Sequence, residues 1–196
     1  MRSIDKLMDS PLRNISTVIR YSGFQLLRPE TVDSHTMDMA VLGLIILDEL
    51  PEYLDRKDLI YRIVIHDLEE STSCDVPRSL KYWSPKVHAA IEEATKAMVK
   101  VHVSKNLFED LCNAKDLEVL EGRVIKFLDI LQCCFILKKE VIYLGNKPLY
   151  KVYSEACKFL SKVIYEDRLF AKDPSRVSNY FEGLTHDFIQ TMDEYL

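Results

Sequence analysis

His66 and Asp67 stand side by side at the end of an apolar run, Ile60-Tyr61-Arg62-Ile63-Val64-Ile65, and Glu70 follows one turn later. Adjacent residues on a helix point about 100° apart. They converge only around something small and strongly attractive. A divalent metal ion is such an object, and imidazole and carboxylate are ligands suited to zinc, cobalt, manganese or iron. A lone His-Asp pair is also what a helix shows where it turns polar on leaving the core. The company of this pair favours the metal. His35 lies upstream, Asp129 downstream, and the acids Glu70 and Asp75 follow closely.

The elements that must position these residues read as helices. Glycine is scarce, alternating stretches are few, and apolar positions recur at three and four, so the fold class is all-α. Residues 3–10 form a short helix before Pro11, and 12–19 continue as helix or turn. Pro29 biases Arg28 out of the helical region, so 27–32 is a loop. Asp33 or Ser34 caps a helix to about Leu50, with His35 in its first turn and Met37, Val41, Leu44, Ile45 and Leu47 to Leu50 on its apolar face. Standing alone, a histidine there would be solvent-exposed. A helix from about Arg56 to Glu70 turns Leu59, Ile60, Ile63 and Val64 inward, and Ser71 to Lys81 is a polar loop. The next helix, Pro85 to about Val103, places Val87, Ala90, Ile91, Ala94, Ala97, Met98 and Val101 at helical spacing. His88 and His102 on it are ordinary surface or packing histidines. Residues 106–114 form a short helix or turn.

Leu117 to about Val141 is the second long core helix. Asp129 falls in its apolar middle, where an unpaired carboxylate is costly. Lys126 precedes it by three positions. That spacing is either a simple Lys-Asp helix pair or a phosphate-binding cation beside a ligand. Gly145-Asn146-Lys147-Pro148 is a turn, and helices cover 149–170 and about 174–195. The pair His186-Asp187 in the last helix has no carboxylate one turn later and is not taken as a metal site.

The chain of 196 residues suits one domain with an unaided core, since 47% of it is apolar. A net charge of -5 argues against a general nucleic-acid binder, though not against a small anion in a local cationic pocket. The cysteines at 74, 112, 133, 134 and 157 are odd in number and include no CxxC. They read as buried thiols in a reducing cytosol. No apolar stretch resembles a signal peptide or is long enough to cross a bilayer.

Four ligands resemble the pattern of the HD-domain metal-dependent phosphohydrolases: His35, His66-Asp67 and Asp129. The surroundings sharpen the likeness. Arg20-Tyr21, Thr31-Val32-Asp33-Ser34-His35-Thr36, His66-Asp67-Leu68-Glu69-Glu70, Cys74-Asp75-Val76-Pro77 and Leu80-Lys81-Tyr82 occur in order. Together they resemble the YfbR-like 5′-deoxynucleotidases and the related small phage dATP triphosphohydrolases, over roughly 12–135. That subfamily commonly has Arg-Trp where this chain has Arg20-Tyr21. The resemblance implies one HD domain over 1–196, a cytoplasmic setting in a bacterium or phage-infected cell, and a homo-oligomer. It also implies a divalent ion (zinc, cobalt or manganese), with a second such as magnesium accompanying the phosphates.

These residue types permit phosphoester hydrolysis. A metal activates water and draws charge off the phosphoryl group. Glu70 or Asp75 orients that water and moves protons. Arg20, Lys81 and Lys126 neutralise phosphate charge, and Tyr21 stacks on or edges the sugar and base. The substrate is a small deoxynucleotide, with no nucleic-acid polymer and no membrane as partner. The compact frame shared with the phage enzymes leads to dATP triphosphohydrolase as the expected activity. A 5′-deoxynucleotidase acting on monophosphates is the alternative, and a nucleotide-binding HD module without turnover is a third reading.

Overall fold

Thr31 starts the first long helix, α1 (Val32–Glu49). Its backbone is extended and its N–H is taken by the Ser34 hydroxyl at 3.1 Å. Asp33 and Ser34, the expected caps, therefore lie within the first turn, where Asp33 complements the helix dipole. The computed structural model describes residues 9–77, Leu80 and residues 83–193. Residues 3–8 of the expected first helix lie outside that range. Among the described residues there are eight α-helices and no strand, as the apolar spacing predicts. The others are α2 (Arg56–Ile65), α3 (Glu70–Ser73), α4 (Pro85–Lys100), α5 (Lys105–Asn113), α6 (Leu120–Lys138), α7 (Tyr150–Ser161) and α8 (Ser175–Asp193). A tight 3-10 helix, Pro11–Thr17, precedes α1, and α6 and α7 each run on into a wide π turn.

α2 stops at Ile65, short of the expected Glu70. The imidazole Nδ1 of His66 takes the Ile63 carbonyl at 2.7 Å. That carbonyl is the acceptor the Asp67 N–H would need to continue the helix. The chain instead tightens into turns (Leu68 N–H to Ile65 O, 3.1 Å; Glu70 N–H to Asp67 O, 3.0 Å) before the single turn of α3.

α1, α2 and α6 pack on one another, and these three helices carry the four candidate ligands or end beside them. Met39, Ile46 and Leu47 of α1, Leu59 and Ile63 of α2, and Val124, Phe127 and Leu128 of α6 belong to one buried cluster. Gly43 permits this approach, because a Cβ there would stand 2.7 Å from the Ile63 Cδ1. Farther from the site, Phe170 stacks on Phe181 with centroids 4.0 Å apart, and Phe127 meets Phe181 edge-on. Arg123 pairs with Asp173 through two hydrogen bonds, of 3.0 and 2.5 Å. That bidentate pair ties α6 to the turn before α8.

Two expected apolar faces are right only in part: Leu47 and Leu50 at the end of α1 and Val87 and Ile91 of α4 turn inward, and the rest do not. Met37, Val41, Leu44 and Ile45 are exposed, as is Val64; α1 buries Val32, His35, Met39, Gly43, Ile46 and Leu47 instead. α1 is apolar almost all round, so spacing alone does not select its inner side. On α4 only Val99 is fully buried, with Val87, Ile91 and Thr95 half-buried along the same edge. Ala90, Ala94, Ala97, Met98 and Val101 face outwards. Among the described residues, no helix is long and apolar enough to cross a membrane. All five cysteines are free thiols; Cys134 and Cys157 are buried, Cys133 is half-buried, and Cys74 and Cys112 are exposed, contrary to the expectation of a buried set.

Candidate metal centre and cavity

A short backbone bridge brings the Arg20 segment to the entrance of α1. Arg20 N–H donates to Glu30 O at 2.8 Å, and Val32 N–H to Val18 O at 3.0 Å. Tyr21 then takes a left-handed backbone (φ 57°), and its N–H donates to Asp75 Oδ2 at 2.9 Å. Cys74, just before Asp75, has φ 62° and ψ 166°. That region is essentially reserved for glycine and costs about 1–3 kcal/mol. Asp75 is thus a strained-turn acceptor that fixes the Arg20-Tyr21 bend.

His35, His66, Asp67 and Asp129 meet, with one ligand atom from each lying within 4.8 Å of every other. His35 Nε2 is 3.3 Å from His66 Nε2, 3.7 Å from Asp67 Oδ2 and 3.4 Å from Asp129 Oδ1. His66 Nε2 is 3.2 Å from Asp67 Oδ2. Atoms bound to one tetrahedral ion at about 2.0–2.2 Å lie about 3.3–3.6 Å apart, so the spacing fits a single ion. The hydrogen bonding fits as well. His35 Nδ1 donates to Gln132 Oε1 (2.8 Å) and His66 Nδ1 to Ile63 O (2.7 Å). Both Nε2 lone pairs then converge on the same point as two carboxylates, an arrangement that calls for a cation. His35 is fully buried, not the solvent-exposed residue its position alone would give.

Cations already crowd the carboxylates. Arg20 Nη1 donates to Asp67 Oδ2 at 2.8 Å, and Arg20 Nη2 lies 3.4 Å from Asp129 Oδ1. The Lys115 ammonium reaches Asp67 Oδ1 at 2.5 Å. Burial would push Asp67 up, but His66, Lys115 and Arg20 outweigh it and hold it well below the ordinary value. Asp129, likewise opposed by burial, is held down by its neighbours His35 and Arg20. Glu70 goes the other way. Burial first, then Asp67 and Asp75, against Arg20, push it up to about 9. Its buried Oε2 has no hydrogen-bond partner among the described residues.

The centre opens into a cavity of about 370 Å³. His66, Asp129, Glu69, Glu70, Lys115 and Lys126 line it beside the centre. Ile91, Thr95, Val99, Phe108 and Leu111 line an arm between α4 and α5. Asp129, 30% exposed at its side chain, sits at this mouth and not deep in the core. Lys126 shares the lining, with its amine 5.8 Å from the centroid of Phe159. Tyr21 buries its hydroxyl, beside Cys133, and carries the Arg20 guanidinium over its ring at 5.4 Å. Lys81 lies outside the described residues. His88 bonds Glu92 one turn on (3.0 Å), and His186 and Asp187 are exposed on α8, away from the four ligands. Sequence reading missed Lys115, Glu30 and Gln132. Lys115 follows a helix end with no patterned neighbour, and only packing delivers it to Asp67.

The sequence model of the YfbR-like 5′-deoxynucleotidases matches residues 10–173, most of the chain. The chain belongs to the YfbR-like 5′-deoxynucleotidase family. No curated protein matches it. Solved structures share its fold. A conserved hypothetical protein from Pyrococcus furiosus superposes with a TM-score of 0.70 at 22% identity, over 96% of this chain and 99% of that one. An HD-domain phosphohydrolase from Listeria innocua gives 0.68 at 19%, over 96% and 99%. A predicted metal-dependent phosphohydrolase from Magnetospirillum magnetotacticum gives 0.64 at 15%, over 95% of both chains. By family the chain is YfbR-like, its fold is shared with an HD-domain phosphohydrolase, and its His/Asp cluster has the composition and spacing to hold a metal ion.

Proposed function

We propose that the chain hydrolyses the 5′ phosphoester of 2′-deoxynucleoside monophosphates, releasing a deoxynucleoside and phosphate. The observation that carries this reading is the four-ligand cluster at the mouth of a nucleotide-sized cavity, in a chain matched to this family over 10–173. Water oxygen bonds to phosphorus, the bond from phosphorus to the 5′ oxygen breaks, and that oxygen takes a proton. His35, His66, Asp67 and Asp129 would hold a divalent ion, which would supply Lewis acidity and make water a better nucleophile.

The chain's own groups do the rest. Glu70, buried and raised to about 9, is suited to give a proton to the departing 5′ oxygen. Asp75 holds the Arg20-Tyr21 bend with one oxygen and leaves the other for orienting water. Arg20 offsets the charge of the ligand carboxylates, and Lys115, which also lines the cavity, offsets that of the phosphate. The apolar arm of Ile91, Phe108 and Leu111 receives the base and sugar. Tyr21 is outside the cavity lining, and its part in this reading is to carry the Arg20 guanidinium on its ring.

A triphosphate would make fuller use of Arg20, Lys81 and Lys126 along its longer tail. Arg20 is engaged by Asp67 and Asp129, and Lys126 rests near Phe159. The family match, too, favours the monophosphate. Presence of all four ligands with Glu70 and Asp75 supports turnover over simple binding. Self-association is part of this reading, supported by the exposed apolar stripe of Met37, Val41, Leu44 and Ile45 on α1; light scattering on eluted protein measures it. Hydrolysis of dAMP and AMP in ¹⁸O-water tests the chemistry. Label in phosphate, none in the nucleoside, and slow turnover of AMP are expected. Label in the nucleoside, or equal rates on both, contradicts the assignment.

A further inference from the structure

The geometry points to Gln132, fixed by Glu30, as the positioning residue that commits His35 to one tautomer and so presents its Nε2 to the metal centre. The three side chains form a buried line. Gln132 Nε2 donates to Glu30 Oε1 at 2.5 Å, and Gln132 Oε1 accepts from His35 Nδ1 at 2.8 Å. All three are buried, Gln132 and His35 almost completely. No water is needed to close the line.

The direction of the line follows from donor and acceptor types. An ionised carboxylate only accepts, so the amide must turn its NH₂ towards Glu30. Its carbonyl oxygen then faces His35, and an oxygen there requires a hydrogen on Nδ1. Nε2 is left with a lone pair directed at His66, Asp67 and Asp129. Glu30 is itself braced. Its backbone carbonyl accepts from Arg20 N–H, and its Oε2 lies 3.9 Å from Arg20 Nε. The same carboxylate thereby orients a ligand histidine and steadies the guanidinium that touches Asp67. His66 needs no such device, because its Nδ1 hydrogen goes to the backbone at Ile63. The two histidines are thus set by unlike means, one by its own helix and one by side chains 97 and 102 positions apart in their pairs. Partners of this kind commonly carry about 10–100-fold in metal affinity.

The inference rests on the metal-centre reading, and its test uses no substrate. Long-range ¹H–¹⁵N correlations of the imidazoles are recorded in the metal-free wild type, Gln132→Leu and Gln132→Glu. The cobalt dissociation constant of each is measured by chelator competition. Wild type should show His35 solely as the Nδ1–H form. Gln132→Leu should show mixed tautomers and a dissociation constant raised by about 10–100-fold. Gln132→Glu restores an acceptor and should recover both the tautomer and most of the affinity. If Gln132→Leu does not fold, Glu30→Leu carries the same test, since the freed amide can turn and the tautomer should again mix. An unchanged tautomer and affinity in Gln132→Leu, or equal losses in Gln132→Leu and Gln132→Glu, overturns the proposal. Absence of nucleotidase activity in wild type would leave these readouts intact, so the two readings fail separately.

Discussion

The Nε2 atoms of His35 and His66 face each other across 3.3 Å, and the Nδ1 atom of each is already engaged, by Gln132 and by Ile63 O. Arg20 and Lys115 offset the two carboxylates, but the two facing Nε2 lone pairs repel until a cation binds both. A metal-free preparation should therefore gain stability from cobalt or manganese. At an ion concentration of 100 times the dissociation constant the gain is about 2.7 kcal/mol. For a chain of this length that is about 5–10 °C in Tm. His66→Ala should lose the gain, as calorimetry would register. A full shift in that variant would place the ion elsewhere.

Lys115 ends on Asp67 Oδ1 while its side chain remains 42% exposed. With its lysine open to solvent, and Asp67 also held by Arg20, the pair contributes about 1 kcal/mol or less to stability. Its effect on the reaction should be larger, because it stands at the phosphate end of the cavity. Lys115→Met should keep its metal and its Tm, while kcat/KM on dAMP falls by about 10²-fold, the scale of one lost electrostatic contact. An unaltered kcat/KM would make Lys115 a surface residue only.

Glu70 follows the ligand pair and is kept from ionising by burial and by Asp67 and Asp75. Gln has its shape and cannot release a proton. Glu70→Gln should bind cobalt as wild type does, with turnover lower by roughly 10²–10⁴-fold. Turnover near wild type would pass the proton-transfer role to Asp75.

Much of the centre was legible because its chemistry is carried by residue type. Two imidazoles and two carboxylates in apolar settings need a shared partner, wherever the chain brings them. Lys115, Glu30 and Gln132 were not legible. A lysine, a glutamate and a glutamine carry no special chemistry until packing sets them beside Asp67 and His35. The inner side of α1 was misread for a related reason. With apolar residues nearly all round, its orientation is decided by Gly43, which admits Ile63, and not by its own pattern. The end of α2 was set by a side chain, His66, competing with the backbone for Ile63 O.

Glu140 anchors the loop that leads to Glu30. Its carboxylate accepts from Leu27 N–H (2.8 Å), Arg28 N–H (3.0 Å) and Asn146 Nδ2 (2.7 Å). Burial opposes the charged form, but the bonds from Asn146, Leu27 and Arg28 prevail and hold Glu140 below its ordinary 4.5. A depressed folded-state value contributes stability that is full above the unfolded value and is lost as pH falls through the folded one. Glu140→Gln should cost about 1–3 kcal/mol at pH 7. The gap between variant and wild type should narrow below about pH 4.5. Urea unfolding at pH 7 and at the lowest pH where both fold reads this directly, and a pH-independent gap would contradict it.

The measurement closest to the central claim sets dAMP and dATP side by side before the cobalt-loaded protein, with products separated by anion-exchange chromatography. The four-ligand centre of a YfbR-like nucleotidase predicts deoxyadenosine and inorganic phosphate from dAMP, abolished by chelator and by Asp129→Ala. Release of intact triphosphate from dATP, with dAMP untouched, would contradict it.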